Sequence, residues 1–154
     1  MAHARKTIRS AIAAILNTSP VTWSAVTESR IESQRQIWPY LMVFAESEVS
    51  DIAAVNNPSI YSRTVNITVA GMLRLPGTSD TYTVEDKMDT MAAEIETKLT
   101  QTIMRAIVSA VQSIHLVSTA MNVIIEEDGI DHAELNMTWR VTYWIAEGLP
   151  EVFI

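Results

Sequence analysis

The last third of the chain has the most regular alternation of apolar and polar side chains. Apolar residues occupy every second position from Ala133 to Ile145, and polar residues fill most of the gaps. This period of two indicates a β-strand with one buried face. An acidic turn containing Gly129 precedes it, and a shorter strand-like stretch covers residues 121–125. Together the two stretches predict an antiparallel hairpin at the end of the fold.

Three earlier stretches also have strand character. Residues 63–75 alternate as regularly as the last strand and end at a Pro-Gly turn. Residues 37–44 are apolar and aromatic, which predicts a buried strand with Pro39 at its start. Residues 21–31 are β-prone but irregular, and they predict a short strand that ends near Arg30 and Ile31.

Residues 45–61 are polar and acidic, and their side chains follow no period. We predict a long loop here. Loops of this length are uncommon inside compact domains and often have a function. We therefore interpret this segment as an interaction loop that becomes ordered in an assembly, with an ordinary surface loop as the alternative.

Two segments repeat apolar residues at helical spacing. One covers residues 3–16, and the other covers residues 83–113 without an internal glycine or proline. Thr83 followed by Asp86 resembles a capping box at the start of the second segment. The predicted fold is thus a single α+β domain over residues 1–154. Its mainly antiparallel sheet has four or five strands, two helices on one face (a short N-terminal one and a long central one) and a C-terminal β-hairpin.

Composition narrows the classes of function. The chain carries a net charge of -7, which disfavours general nucleic-acid binding because phosphate contacts need clustered cations. It contains no cysteine, so disulfides, thiolate metal sites and cysteine nucleophiles are excluded. No apolar run approaches the roughly 18 residues of a membrane span. The mean hydropathy of +0.14 is slightly apolar and suggests apolar surface that an oligomer covers.

The chain shows no recognisable catalytic motif. It lacks a glycine-rich phosphate loop and a nucleophile elbow, and its three histidines are far apart in sequence. The carboxylates that precede His132 fit a solvated hairpin turn better than a metal loop. We predict no enzyme activity, no cofactor and no metal. A ligand-binding or metal-dependent α+β domain with a pocket near Asp131 and His132 stays open as an alternative.

Several charged or aromatic residues are candidates for contacts with partners. The acidic loop and the acidic turn are candidates for contacting a partner protein. Two arginines of the first helix are candidates for contacting a neighbouring subunit. A tryptophan on the polar face of the last strand is a candidate for anchoring an interface. These candidates are Glu46, Glu48, Asp51, Glu126, Glu127, Asp128, Arg5, Arg9 and Trp144.

The order of these segments resembles one protein family. A basic first helix (residues 3–9) precedes a strand that contains Arg30, an apolar strand over residues 38–44 and an acidic Glu46-Ser47-Glu48 stretch. The strand over residues 63–73 follows, then a helix containing Met91-Ala92-Ala93-Glu94-Ile95-Glu96, and finally the closing hairpin. This layout resembles the tail terminator proteins of long-tailed bacteriophages, also called tail completion or minor tail protein U-like proteins.

The resemblance implies a structural virion protein without enzyme activity. Such a protein would form a hexameric ring on the head-proximal end of the tail tube, end tube polymerisation and provide the head-joining surface. Its partners would be other copies of itself, the tail tube protein and a head-tail connector protein, with genomic DNA passing through the ring without sequence-specific binding. It would be assembled in the host cytoplasm and reside at the head-tail junction. Another phage connector or a tube-like subunit is the nearest alternative.

Overall fold

The computed structural model describes residues 3–30, 37–77, 83–125 and 131–154. These residues form three helices and five strands that belong to one sheet, so the α+β class is confirmed. In chain order the elements are α1 Ala4–Leu16, β1 Ala25–Thr27, β2 Tyr40–Ala54, β3 Ile60–Arg74, α2 Val84–Lys98, α3 Gln101–Ile107, β4 Val111–Ile124 and β5 His132–Ala146.

The sheet has the strand order β1-β2-β3-β5-β4. The short β1 is parallel to β2, and every other neighbouring pair is antiparallel, so the sheet is mixed rather than purely antiparallel. The predicted pairing of the last two strands is confirmed, with Ile124 opposite His132. The turn between these two strands, residues 126–130, lies outside the described residues.

One face of the sheet forms the main core. The odd-numbered residues of β5 from Ala133 to Ile145 are all buried, as the alternation predicts, and they pack with buried residues of β2, β3 and the helices. Gly71 lies at the centre of this face. A Cβ atom there would stand 2.9 Å from Met91 Cε and 3.3 Å from Leu41 Cδ2. The missing side chain therefore lets α2 pack directly on the sheet.

The opposite face has a smaller apolar cluster at one end and is polar elsewhere. Tyr40, Met42, Ala70 and Met72 are buried in this cluster, and Trp38 packs against them. Along the rest of this face the even-numbered residues of β5 from His132 to Trp144 are half-buried or exposed, which matches the polar half of the sequence alternation.

The prediction of a single long helix over residues 83–113 is wrong. It divides into α2 and α3 at Leu99 and Thr100, and β4 already begins at Val111. Leu99 and Met104 explain the division, because both are buried. In a continuous helix two residues five positions apart point about 140° away from each other. The break allows both side chains to reach the core.

Thr100 starts the second of these helices. Its Oγ1 accepts a hydrogen bond from the backbone N–H of Ile103 at 3.3 Å. We expect Thr100→Ala to lower the free energy of unfolding by about 1 kcal/mol, as the loss of an N-cap usually does. Urea denaturation measures this change, with Thr102→Ala, at an exposed site in the same helix, as the control. Equal effects of the two substitutions would show that the cap contributes nothing.

The predicted loop at residues 45–61 is also wrong. Residues 45–54 continue β2, β3 begins at Ile60, and only residues 55–59 connect the two strands. The pattern is hidden because this half of β2 lies at the edge of the sheet and, apart from Glu48 and Ala54, is exposed on both faces. A register shift between Ala45 and Ser47 also changes which side chains face the core. Neither face therefore imposes an apolar period on the sequence.

The remaining strand boundaries differ from the predictions in length. The strand expected to end near Arg30 and Ile31 is β1, which ends at Thr27. The strand expected over residues 37–44 starts at Tyr40 and is the buried half of β2. The short strand expected over residues 121–125 is only the end of β4, which starts at Val111.

Candidate assembly surface

Among the described residues, no strand covers more than half of the outer edge of β2. The short β1 pairs only with Tyr40, Leu41 and Met42, and the guanidinium of Arg30 donates a hydrogen bond to the carbonyl of Ala45. Beyond this point, no strand in the described part of the chain pairs with the outer side of residues 46–54. We call this stretch the β2 edge.

The opposite edge of the sheet is the whole of β4, which pairs on its inner side with β5. This β4 edge contains no Asp, Glu, Lys, Arg or Pro. Yet it exposes aliphatic side chains: the exposed fraction is 45% for Val117, 42% for Met121 and 55% for Val123. Natural sheet edges are usually protected from pairing with other chains by charges, prolines or a short length. The β4 edge has none of these three protections. Two register shifts interrupt its pairing with β5 before Ser118, and the pairing is regular from Ser118 to Ile124.

The two edges expose aliphatic side chains on the same face of the sheet. On β4, Met121 lies opposite Leu135, which belongs to the buried, helix-bearing face. On β2, Ile52 lies opposite Tyr61 of β3, and Tyr61 in turn lies opposite the buried Ile145 of β5. Ile52 is nevertheless 63% exposed. The helix layer thus leaves both margins of this face uncovered.

A polar cluster holds the β2 edge to the body of the sheet. Glu48 accepts hydrogen bonds at both carboxylate oxygens, from Arg63 Nη1 at 2.8 Å and from the Tyr143 hydroxyl at 2.7 Å. These contacts join three neighbouring strands. The Glu48 side chain is only 10% exposed, so water screens its ion pair weakly. We call Glu48, Arg63, Tyr143 and the adjoining His3 the Glu48 cluster.

The Glu48 cluster also contacts both ends of the described chain. His3 caps α1, where its Nδ1 accepts from the backbone N–H of Arg5 at 3.1 Å, and its Nε2 lies 3.2 Å from Arg63 Nη1. The ring of Phe153 packs edge-on against Tyr143 with 5.6 Å between ring centroids. The first helix, the last residues and the β2 edge are therefore anchored at one place.

Burial raises the pKa of the Tyr143 phenol, and the hydrogen bond and negative charge of Glu48 raise it further. The unfolded chain would ionise this phenol near pH 10, whereas the folded chain would keep it neutral. The stability that Tyr143 contributes is therefore complete below pH 10 and decreases above it.

We expect the free energy of unfolding to fall above pH 10 by up to about 1.4 kcal/mol per pH unit because of this residue. Chemical denaturation on both sides of that pH measures the slope, and Tyr143→Phe should remove this part of it. An identical slope in the two proteins would contradict the assignment.

The three acidic residues predicted to contact a partner from residues 45–61 differ in exposure. Glu46 and Asp51 are exposed on the β2 edge, whereas Glu48 faces inward and binds Arg63. The structure thus brings the three acidic residues of the predicted loop onto one strand. It does not leave all three accessible to a partner.

The basic and aromatic candidates lie on other elements. Arg5 is exposed in the first turn of α1, and Arg9 forms an ion pair with Glu28 at 3.4 Å. Trp144 is 40% exposed on the polar face of β5. Glu126, Glu127 and Asp128 lie outside the described residues.

Sequence analysis missed the β4 edge, Ile52 and the partners of Glu48. The β4 edge could have been found, because residues 111–125 contain no Asp, Glu, Lys or Arg and include seven aliphatic residues or methionine after His115. The contacts of Glu48 with Arg63 and Tyr143 could not have been found from sequence, because they depend on the register of three neighbouring strands.

At the alternative site, His132 contacts a carboxylate and an aromatic ring. His132 Nε2 lies 3.3 Å from Glu134 Oε1, and the imidazole packs against Trp38 with 5.8 Å between ring centroids. Within residues 3–30, 37–77, 83–125 and 131–154, no group of three or more His, Asp or Glu side chains is arranged to hold a metal ion. No helix in those same ranges is both long enough and apolar enough to cross a membrane.

No protein-family model matches the chain, and no curated protein matches its sequence.

Proposed function

We propose that this protein is a structural subunit that acts by assembling with further copies of itself. The observation that carries the proposal is the β4 edge, a strand of 14 residues with no charged residue or proline and with exposed aliphatic side chains. An unprotected edge of this kind is a template for pairing with another chain. The second open edge, on β2, gives each copy two places at which a neighbour can bind.

The particular assembly that we propose is the ring of a phage tail terminator, as the resemblance in segment order implies. A subunit with two different binding edges makes head-to-tail contacts, which close into a ring when the rotation per subunit divides the circle. The proposed ring is a hexamer that caps the head-proximal end of the tail tube, stops its growth and receives the head-tail connector. Genomic DNA would pass through its lumen, and the protein would reside in the virion.

The mass of the purified protein in solution tests this proposal first. Light scattering over a range of concentrations, followed by negative-stain imaging, should show a discrete ring with a central hole. In a second arm, isolated tail tubes without a terminator are incubated with the protein. We expect rings at tube ends and no further tube growth.

The other outcomes separate the alternatives. Growth of the purified protein into open tubes would favour a tube-like subunit, because such contacts continue instead of closing. A protein that stays monomeric at every concentration and does not bind tubes would contradict the proposed function. Thermal stabilisation of that monomer by a divalent ion would then support the metal-binding alternative.

A further inference from the structure

We propose that the β4 edge of one copy pairs with the β2 edge of the next copy, so that one sheet continues from subunit to subunit. This inference rests on the proposed self-assembly and specifies its contact. The occupant of each open edge is therefore a second copy of this chain, and each contact joins two different edges.

The strand directions suit this pairing. In the sheet, β2 and β5 run in one direction, and β3 and β4 run in the other. When a second copy is placed beside the first in the same orientation, its β2 meets β4 of the first copy in the antiparallel sense. Antiparallel ladders are slightly more stable per residue than parallel ones, and all main pairs within the subunit already use them.

The exposed side chains also suit it. A sheet that continues across the contact keeps its two faces. Ile52 lies level with Ile145, whereas Met121 lies level with Leu135, ten residues away along β5. The second copy therefore has to be shifted by this distance along the strands for the aliphatic residues on the helix-bearing face of both edges to become neighbours. These residues are Ile52 on the β2 edge and Met121 and Val123 on the β4 edge, each of them exposed in the single chain. Pairing would remove their apolar surface from water, which is the main favourable term in protein association.

Charge disfavours one of the two symmetric alternatives. Pairing of two β2 edges would place Glu46 and Asp51 of one copy beside the same acidic residues of another, and like charges directly opposite each other are destabilising. Pairing of two β4 edges is free of this repulsion. However, it would use up the uncharged edge in a dimer and leave both β2 edges open, so it cannot build a ring.

The absence of cysteine makes a cross-linking test free of background. Ile52→Cys is placed on the β2 edge, and Thr119→Cys, Met121→Cys or Val123→Cys on the β4 edge of a separate protein. Within one chain these edges are three strand spacings apart, about 14 Å, whereas disulfides need Cα atoms within about 7 Å. A disulfide between a cysteine on the β2 edge and a cysteine on the β4 edge therefore has to join two chains. Asn122→Cys, on β4 but on the opposite face, is the matched control.

The two single-cysteine proteins are mixed, allowed to exchange and oxidised under conditions in which light scattering shows oligomers. We expect the Ile52→Cys chain to form a disulfide-linked mixed dimer with at least one of the three β4 variants. When the Asn122→Cys protein is used in place of that β4 variant, most of the mixed dimer should be lost. A chain that carries both cysteines should give a ladder of covalent oligomers.

Three results would overturn the inference, and they differ in what they say about the proposed function. Homodimers of the β4 variants alone would establish symmetric β4 pairing. Oligomers that never cross-link through position 52 would leave self-assembly intact but assign it to another surface. A protein that remains monomeric without cross-links, with or without tail tubes, would contradict the inference and the proposed function together.

Discussion

Replacing Glu48 with alanine is expected to lower the free energy of unfolding by about 3 kcal/mol, because it removes one partner from a nearly buried ion pair. The Arg63 guanidinium would lose its carboxylate, and the buried Tyr143 hydroxyl would lose its acceptor. For a chain of this length the melting temperature should fall by about 6–12 °C. The exposed fraction of the Arg63 side chain is 21%, which places the estimate at the lower end of the range for buried pairs.

Glu46→Ala is the matched control for this substitution. Glu46 lies two residues away on the same strand and is exposed, so its replacement should change stability by less than about 0.5 kcal/mol. A double-mutant cycle of Glu48→Ala with Tyr143→Phe should show coupling, because the two side chains share a hydrogen bond of 2.7 Å. Equal stability of the Glu48→Ala and Glu46→Ala proteins would show that the Glu48 cluster does not anchor the β2 edge.

The strands that face the helices could be predicted from sequence, whereas the outer half of β2 could not. The last strand has one face in the core and one in solvent, so the alternation around Trp139 identifies it unambiguously. The outer half of β2 is largely exposed on both faces, and the half-buried Glu48 in it is charged, so it has no apolar period. A strand leaves an apolar period in the sequence only where one of its faces is buried, and most of this half of β2 is not.

The division between α2 and α3 illustrates a second limit. Leu99 fits the apolar stripe of a continuous helix, and no glycine or proline marks the break. The signal is Thr100, whose hydroxyl caps α3, but a threonine inside a helical pattern is too common to identify a cap by itself. The break is fixed by tertiary packing, since it brings both Leu99 and Met104 into the core.

For the candidate contact residues, the sequence shows their charge but not the direction in which each side chain points, because that direction depends on strand register. The acidic character of residues 46–51 was visible in the sequence, and the structure places these residues on an open strand edge. That Glu48 faces inward while Asp51 remains exposed follows from the register shift after Ala45. No property of the segment alone distinguishes the two carboxylates.

Placing lysines on the β4 edge is expected to abolish self-assembly. Met121→Lys combined with Val123→Lys should raise the dissociation constant of the subunit contact by roughly a hundredfold or more, since a mismatched charge at an interface costs several kcal/mol. Light scattering as a function of concentration measures this change. Both sites are exposed in the single chain, so the melting temperature should stay within a few degrees of the parent protein.

The control and a rescue variant make this last result specific to the β4 edge. Thr90→Lys adds a lysine at an exposed site on α2 and should leave assembly unchanged. Ile52→Glu, introduced on the β2 edge of the lysine double variant, should restore part of the affinity, because opposite charges across neighbouring strands attract. Restoration requires that the two edges meet in different copies, since β3 and β5 separate them within one chain. If Thr90→Lys disrupts assembly as strongly as the double variant, the loss of assembly is not specific to the β4 edge, and the assignment of the contact to that edge is contradicted.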